Sequence, residues 1–179
     1  MQWYLLFLFP FQSLSLTPTY LTNPPPTVES IDINRYYGTW FQIADYPQLY
    51  EMLCNRCTTA SYHQGYNDSI IVQNKAWYIS SEESCMIEGY ATIPNQTEPS
   101  KLEVTFFEPF KANYWIVEVG PIQENGLYSY SIVSDPYRLT LYVLSRSPMV
   151  NNYDELISKV TKYGFDVLRL RKTDQSCFS

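Results

Sequence analysis

Between Gly38 and Ser145 the hydrophobic positions fall in short runs of Tyr, Ile, Val, Phe, Trp and Thr broken by turn formers, the pattern of antiparallel strands. Eight runs stand out: Gly38–Tyr46, Cys57–Gln64, Ser69–Ala76, Met86–Ile93, Leu102–Phe107, Tyr114–Val119, Tyr128–Val133 and Leu139–Ser145. In Leu102-Glu103-Val104-Thr105-Phe106 every second residue is apolar, so Leu102, Val104 and Phe106 share one face. From Leu139 to Ser145 both parities are largely apolar, as in a strand with a cavity on one side and a helix on the other. After Arg146-Ser147-Pro148 the period lengthens to that of a helix. Asn151 or Asn152 can cap it, Asp154 and Glu155 suit its first turn, and Tyr153, Leu156, Ile157, Val160 and Tyr163 form its apolar stripe. Lys159 and Lys162 favour its end and Gly164 stops it, predicting one amphipathic helix of about twelve residues. A last short strand, Val167–Leu170, leads to a polar tail carrying Cys177. Such a chain folds as an antiparallel barrel or sandwich, and eight strands suffice for a closed barrel that holds one small ligand.

The N-terminus is different. An apolar run from Trp3 to Phe11 gives way to small polar residues, which reads as a secretory signal ending near residue 16; a hydrophobic first strand of a cytosolic protein is the alternative. Residues 17–33, rich in Thr and Pro, read as an extended lead-in, and 34–179 as the folded domain.

Composition narrows the chemistry. Charged residues make up 17% of the 179, below the usual share, while aromatics reach 17%, so the chain can bury a sizeable core. With 18 acidic against 12 basic residues and no Lys/Arg run, it lacks the footprint of a nucleic-acid binder. Its single histidine, His63, reads as a surface residue at a strand end and excludes sites needing two His ligands; neither a metal nor a cofactor is expected. The four cysteines, Cys54, Cys57, Cys85 and Cys177, suit two disulfides with three connectivities open. Cys54-Asn-Arg-Cys57 is formally a C-x-x-C, but no second pair completes a zinc site and no βαβ pattern supports a redox motif. Sequons at Asn67 and Asn95 fall in turn-like stretches where glycans would be solvated.

Two motifs carry a resemblance. Asn34-Arg-Tyr-Tyr-Gly38-Thr-Trp40 resembles the G-x-W signature that opens the first lipocalin strand, and Ser145-Arg146-Ser147-Pro148 resembles the arginine motif that ends the eighth. The family's T-D-Y run has no counterpart near Val119–Tyr128, which reads Val119-Gly-Pro-Ile instead. Arg56-Cys57, Ile87–Thr92, Asn95–Val104, Tyr114-Trp-Ile and Thr173–Cys177 are similar to the apolipoprotein D-like branch.

The resemblance implies an all-β fold: an eight-stranded up-and-down antiparallel barrel with one C-terminal α-helix packed outside. It implies that Gly38, Trp40 and Arg146 are structural, the guanidinium lying across the indole at the closed end. It implies a cavity lined by Ala44, Leu102, Val104, Phe106, Tyr114, Trp115, Thr140, Tyr142 and Leu144. It also implies a Cys57–Cys177 bond; the family's other bridge uses a cysteine near the mature N-terminus that this chain lacks, which leaves Cys54 and Cys85 for a bridge between two loops at the mouth. The function implied is that of a secreted, extracellular carrier of a small hydrophobic ligand: fatty acid, lysolipid, sterol or pigment. Two alternatives stand beside it. One is a lipid-modifying enzyme that uses a cavity thiol; the other is a protein-binding module whose mouth loops, such as Tyr46–Leu53, touch a membrane or receptor or fold into the mouth as a lid.

Overall fold

The computed structural model describes residues 23–51 and 53–178; the expected signal segment and the lead-in as far as residue 22 lie outside the described residues. Among the described residues nine strands form one sheet: β1 (Gly38–Asp45), β2 (Cys54–Gln64), β3 (Ile70–Tyr78), β4 (Ser84–Thr92), β5 (Lys101–Phe107), β6 (Phe110–Val119), β7 (Tyr130–Ser134), β8 (Leu141–Ser145) and β9 (Arg171–Lys172). Strands β2 to β8 pair in sequence order, and β1 pairs with both β8 and β2 to close an eight-stranded antiparallel barrel. Closure gives each of the eight barrel strands a neighbour on both sides, and among the described residues β9 alone is paired on a single side.

Strand β1 does two jobs along its length. Gly38 to Phe41 pair with β2, from Gly38 opposite Tyr62 to Phe41 opposite Thr59. Beyond Phe41 the two strands part, and β9 takes the vacated place with Ala44 opposite Lys172 and Asp45 opposite Arg171. The tail is stitched on further by Gln175 Nε2, which donates to Gln42 O at 2.7 Å and Thr58 O at 2.9 Å, and by the Cys57–Cys177 disulfide.

The helix α1 (Tyr153–Lys162) packs against the outer face through Leu156 and Val160, onto a layer that includes Ile43, Ile132, Leu141 and Val143. Burying each such aliphatic side chain contributes roughly 1.5–3 kcal/mol. Asn152 occupies the N-cap position without a side-chain bond, so Asp154 and Glu155 in the first turn provide the favourable charge there. At the other end Gly164, with φ at +78°, donates to Thr161 O while Phe165 N donates to Val160 O, the paired bonds of a Schellman stop.

A second cluster fills the closed end from inside. It comprises Tyr36, Trp40, Tyr62, Leu102, Ile116, Val133 and their neighbours. Val28 packs against it, its N–H bonded to Ile116 O and its carbonyl to Ser100 Oγ, so the lead-in just before β1 helps close the base.

Two expected elements shift. β6 starts at Phe110 rather than Tyr114, which lengthens one wall of the mouth. The expected strand at Val167–Leu170 is instead a 3-10 turn over Val167–Arg169, because the Asp166 side chain accepts from Leu168 N and caps it; the strand follows at Arg171–Lys172.

Candidate functional site

The closed end is fastened by one residue pair. Trp40 is fully buried, its Nε1 donates to Tyr36 O at 2.8 Å, and the Arg146 guanidinium carbon lies 3.6 Å from the indole ring centre. That guanidinium also donates to the carbonyls of Tyr128, Thr39, Arg35 and Tyr36 at 2.9–3.1 Å, tying three chain segments together. Burial lowers the Arg146 pKa to about 10, still well above neutral pH. Gly38 is held at φ +91°, where a side chain would be strained, and its Cβ would stand 3.5 Å from Arg146 Nη1.

Above this base lies a layer of phenols. Tyr114 Oη accepts from Tyr62 Oη at 2.8 Å and shares a 2.8 Å hydrogen bond with Tyr36 Oη, which donates to Ser131 Oγ at 2.9 Å. Desolvation raises all three phenol pKa values, that of Tyr36 to about 12, so the layer stays uncharged at neutral pH.

Over the phenols the barrel is hollow. A cavity of about 730 Å³ runs from Tyr62 and Tyr114 up to the mouth, within the roughly 300–1,000 Å³ range of small-molecule sites. Its walls are largely apolar: Val72 and Ala76 on β3, Val104 and Phe106 on β5, and Leu144 on β8 among them. Gln42, Thr58 and Asn74 form a polar strip on adjoining strands, Ala60 standing opposite Asn74 in the register. Thr58 Oγ1 and Asn74 Oδ1 are shut off from solvent without a hydrogen-bond partner.

Glu51 stands at the mouth. It ends a 3-10 turn over Leu49–Glu51, between β1 and β2. Asp45, with no exposed surface, pairs with Arg171 on β9 through Arg171 Nε at 3.0 Å and Nη2 at 2.5 Å, and Glu51 Oε2 lies 3.9 Å from Arg171 Nη2. Burial and the nearby Asp45 charge push the Glu51 pKa up to about 7, against the pull of Arg171 and a hydrogen bond from Tyr142.

Of the nine residues expected at the cavity, Val104, Phe106, Tyr114, Thr140, Tyr142 and Leu144 line it. Ala44, Leu102 and Trp115 do not. A register shift between Gln42 and Ala44 in the β1–β8 ladder breaks the alternation, so Ala44 joins the layer beneath the helix. Leu102 has the inward parity but sits too low, in the packed cluster with Trp40. Trp115 has the opposite parity from Tyr114 and lies under the Lys101 ammonium at 4.5 Å. The wall given by β2 and β3 was missed, although the alternations Thr58-Ala60-Tyr62 and Val72-Asn74-Ala76 could have revealed it. Within the expected lid Leu49 and Leu53 are 87% and 75% exposed, and among its described residues Glu51 lines the cavity.

Both disulfides are formed. Cys57–Cys177 holds the tail, and Cys54–Cys85 links the starts of β2 and β4 beside the mouth. Asn67 and Asn95 are exposed in turns, the Asn95 side chain accepting from Thr97 N and Thr97 Oγ1. His63 is exposed near the end of β2.

Residues 31–175 match the family described as a lipocalin-like domain. Among curated proteins, apolipoprotein D of Macaca fascicularis is 34% identical over 157 residues, covering 84% of this chain and 80% of that protein. Temperature-induced lipocalin-1 of Arabidopsis thaliana is 29% identical, covering 83% and 82%. Among solved structures, insecticyanin from the tobacco hornworm Manduca sexta superposes with a TM-score of 0.60 at 22% identity, covering 85% of this chain and 83% of that one, a likeness of fold.

Proposed function

The chain belongs to the lipocalin family, and from that premise we propose that it is a secreted carrier holding one small hydrophobic ligand in the barrel, with no chemistry of its own. The observation that carries this reading is the hollow, mostly apolar cavity over a neutral phenol floor. A carrier needs only burial energy, about 25 cal/mol per Å² of apolar ligand surface removed from water. Val104, Phe106, Tyr142 and Leu144 would supply the apolar wall, with Tyr114 and Thr140 offering hydroxyls that orient a polar end. Fatty acids, lysolipids, sterols and pigments fit such a site in size and polarity.

Two disulfides and the N-terminal apolar run support secretion, and glycans on Asn67 and Asn95 would meet no packed surface. A thiol-based lipid-modifying enzyme is the weaker reading, because all four cysteines are paired in disulfides. Native mass spectrometry of protein purified from its source tests the carrier reading. A co-purifying small hydrophobic molecule at one per chain supports it, and its absence together with failure of every lipid probe to bind saturably would refute it.

One observation favours an added role for the mouth. Leu49, Leu53, Phe107 and Phe110 are 69–87% exposed on the β1–β2 loop and the β5–β6 turn, both at the mouth end of the barrel, suited to touching a membrane or a receptor. Replacing Leu49 and Leu53, which do not line the cavity, by Ser should then abolish flotation with liposomes, or receptor capture, while sparing ligand binding.

A further inference from the structure

The charge at the cavity mouth is one-sided. Glu51 is the acidic residue among those lining the cavity; the two lysines that border it, Lys75 and Lys111, are turned to other partners. The Lys75 ammonium lies 5.7 Å from the ring centre of Trp77, which does not line the cavity, and Lys111 Nζ bonds Glu103 Oε2 at 2.9 Å. Arg171, the cation nearest Glu51, is committed to Asp45. Glu82, Glu83 and Glu108 are exposed on the turns that follow β3 and β5, at the same end of the barrel. The Arg138 guanidinium is drawn away to the carbonyls of Asn23 and Tyr163.

Among the described residues, a ligand carboxylate at this mouth would face Glu51, while Arg171 and Lys111 are paired with carboxylates and Lys75 has the outward parity on β3. A hydroxyl is treated differently. It can donate to Glu51 Oε2, which accepts no hydrogen bond and has only its long 3.9 Å ion pair with Arg171, or engage Thr58 Oγ1 and Asn74 Oδ1 farther in, which have no hydrogen-bond partner. Leaving such buried groups without partners is unfavourable, and a ligand that satisfies them relieves that penalty.

We propose that Glu51 sets the charge of the ligand: the cup takes an uncharged lipid that carries a hydroxyl and turns away the carboxylate of the same chain. This rests on the carrier reading and narrows it, from the whole range of small hydrophobic molecules to neutral alcohols. The groups that face Glu51 are Asp45 from β1, Arg171 from β9 and the Tyr142 phenol from β8. Since Asp45 and Arg171 neutralise each other, the charge left over at the mouth is that of Glu51.

The test uses two fluorescent probes of one chain, cis-parinaryl alcohol and cis-parinaric acid, titrated into the purified protein at pH 8. The alcohol should bind on the order of tenfold more tightly. In Glu51→Gln that preference should collapse, leaving the two probes within about twofold of each other. A second measurement needs no variant: dodecyltrimethylammonium should displace bound alcohol at lower concentration than dodecyl sulfate. Equal affinities of alcohol and acid for the unaltered protein, or an acid preference, overturn the proposal and leave the carrier reading standing. Saturable binding of neither probe, nor of any other lipid, overturns both.

Discussion

The Arg146 guanidinium stacks on the Trp40 indole at 3.6 Å and at the same time binds four main-chain carbonyls, so one side chain joins the start of β1, the turn before it and the segment leading into β7. A planar fork is required to do both at once, and an ammonium cannot. Arg146→Ala should therefore lower unfolding free energy by about 2–4 kcal/mol, from the lost cation–π contact and the carbonyls left unpaired. Arg146→Lys should recover less than half of the loss, as read from urea midpoints.

The two disulfides close loops of very different length. Cys57 and Cys177 are 120 residues apart, and Cys54 and Cys85 are 31 apart. Loop entropy makes the longer crosslink more stabilising by about 1 kcal/mol. The double replacement Cys57→Ala/Cys177→Ala should thus lower stability more than Cys54→Ala/Cys85→Ala, the gap appearing in denaturant titrations of the two variants. Peptide mapping without reduction should recover the same two crosslinked pairs.

Glu51 should impose a pH slope on stability. Its folded pKa, raised to about 7 from the ordinary carboxylate value of 4.5, means the native state holds a proton that the unfolded chain releases sooner. Stability from this group is present in full below the unfolded value and falls away as pH rises through that window towards 7. Asp45, also raised by burial, acts in the same direction. The urea midpoint of the unaltered protein should fall relative to that of Glu51→Gln between pH 4.5 and pH 7.5. A constant difference across that range would contradict the assignment.

Strand number, the helix and the Trp40–Arg146 pair were legible because each rests on local pattern or on a short motif. Alternation alone placed Val104 and Phe106 on the inner face, and the residues that line the cavity include both. What alternation does not carry is a ladder irregularity or a height along the barrel. The register shift between Gln42 and Ala44 turned Ala44 outward, and Leu102, inward by parity, proved to belong to the base rather than the cavity. Glu51 was missed for another reason. A lone acidic residue in a loop is usually solvated, and its burial arises from Asp45, Arg171 and Tyr142, which lie on three other elements. Likewise the capped turn at Asp166 displaced the last strand by an amount that apolar pattern does not encode.

The central claim is that the barrel interior receives a guest, and Ala60 offers the most direct way to test it, since its side chain lines the cavity opposite Asn74 with room above the phenol layer. Titration with the neutral probe Nile red should give saturable one-to-one binding with blue-shifted emission. In Ala60→Trp the indole should occupy the cavity, weakening binding at least about tenfold while the melting temperature stays within a few degrees. Unaltered Nile red affinity in a folded Ala60→Trp protein, or no saturable binding before the substitution, would contradict the claim.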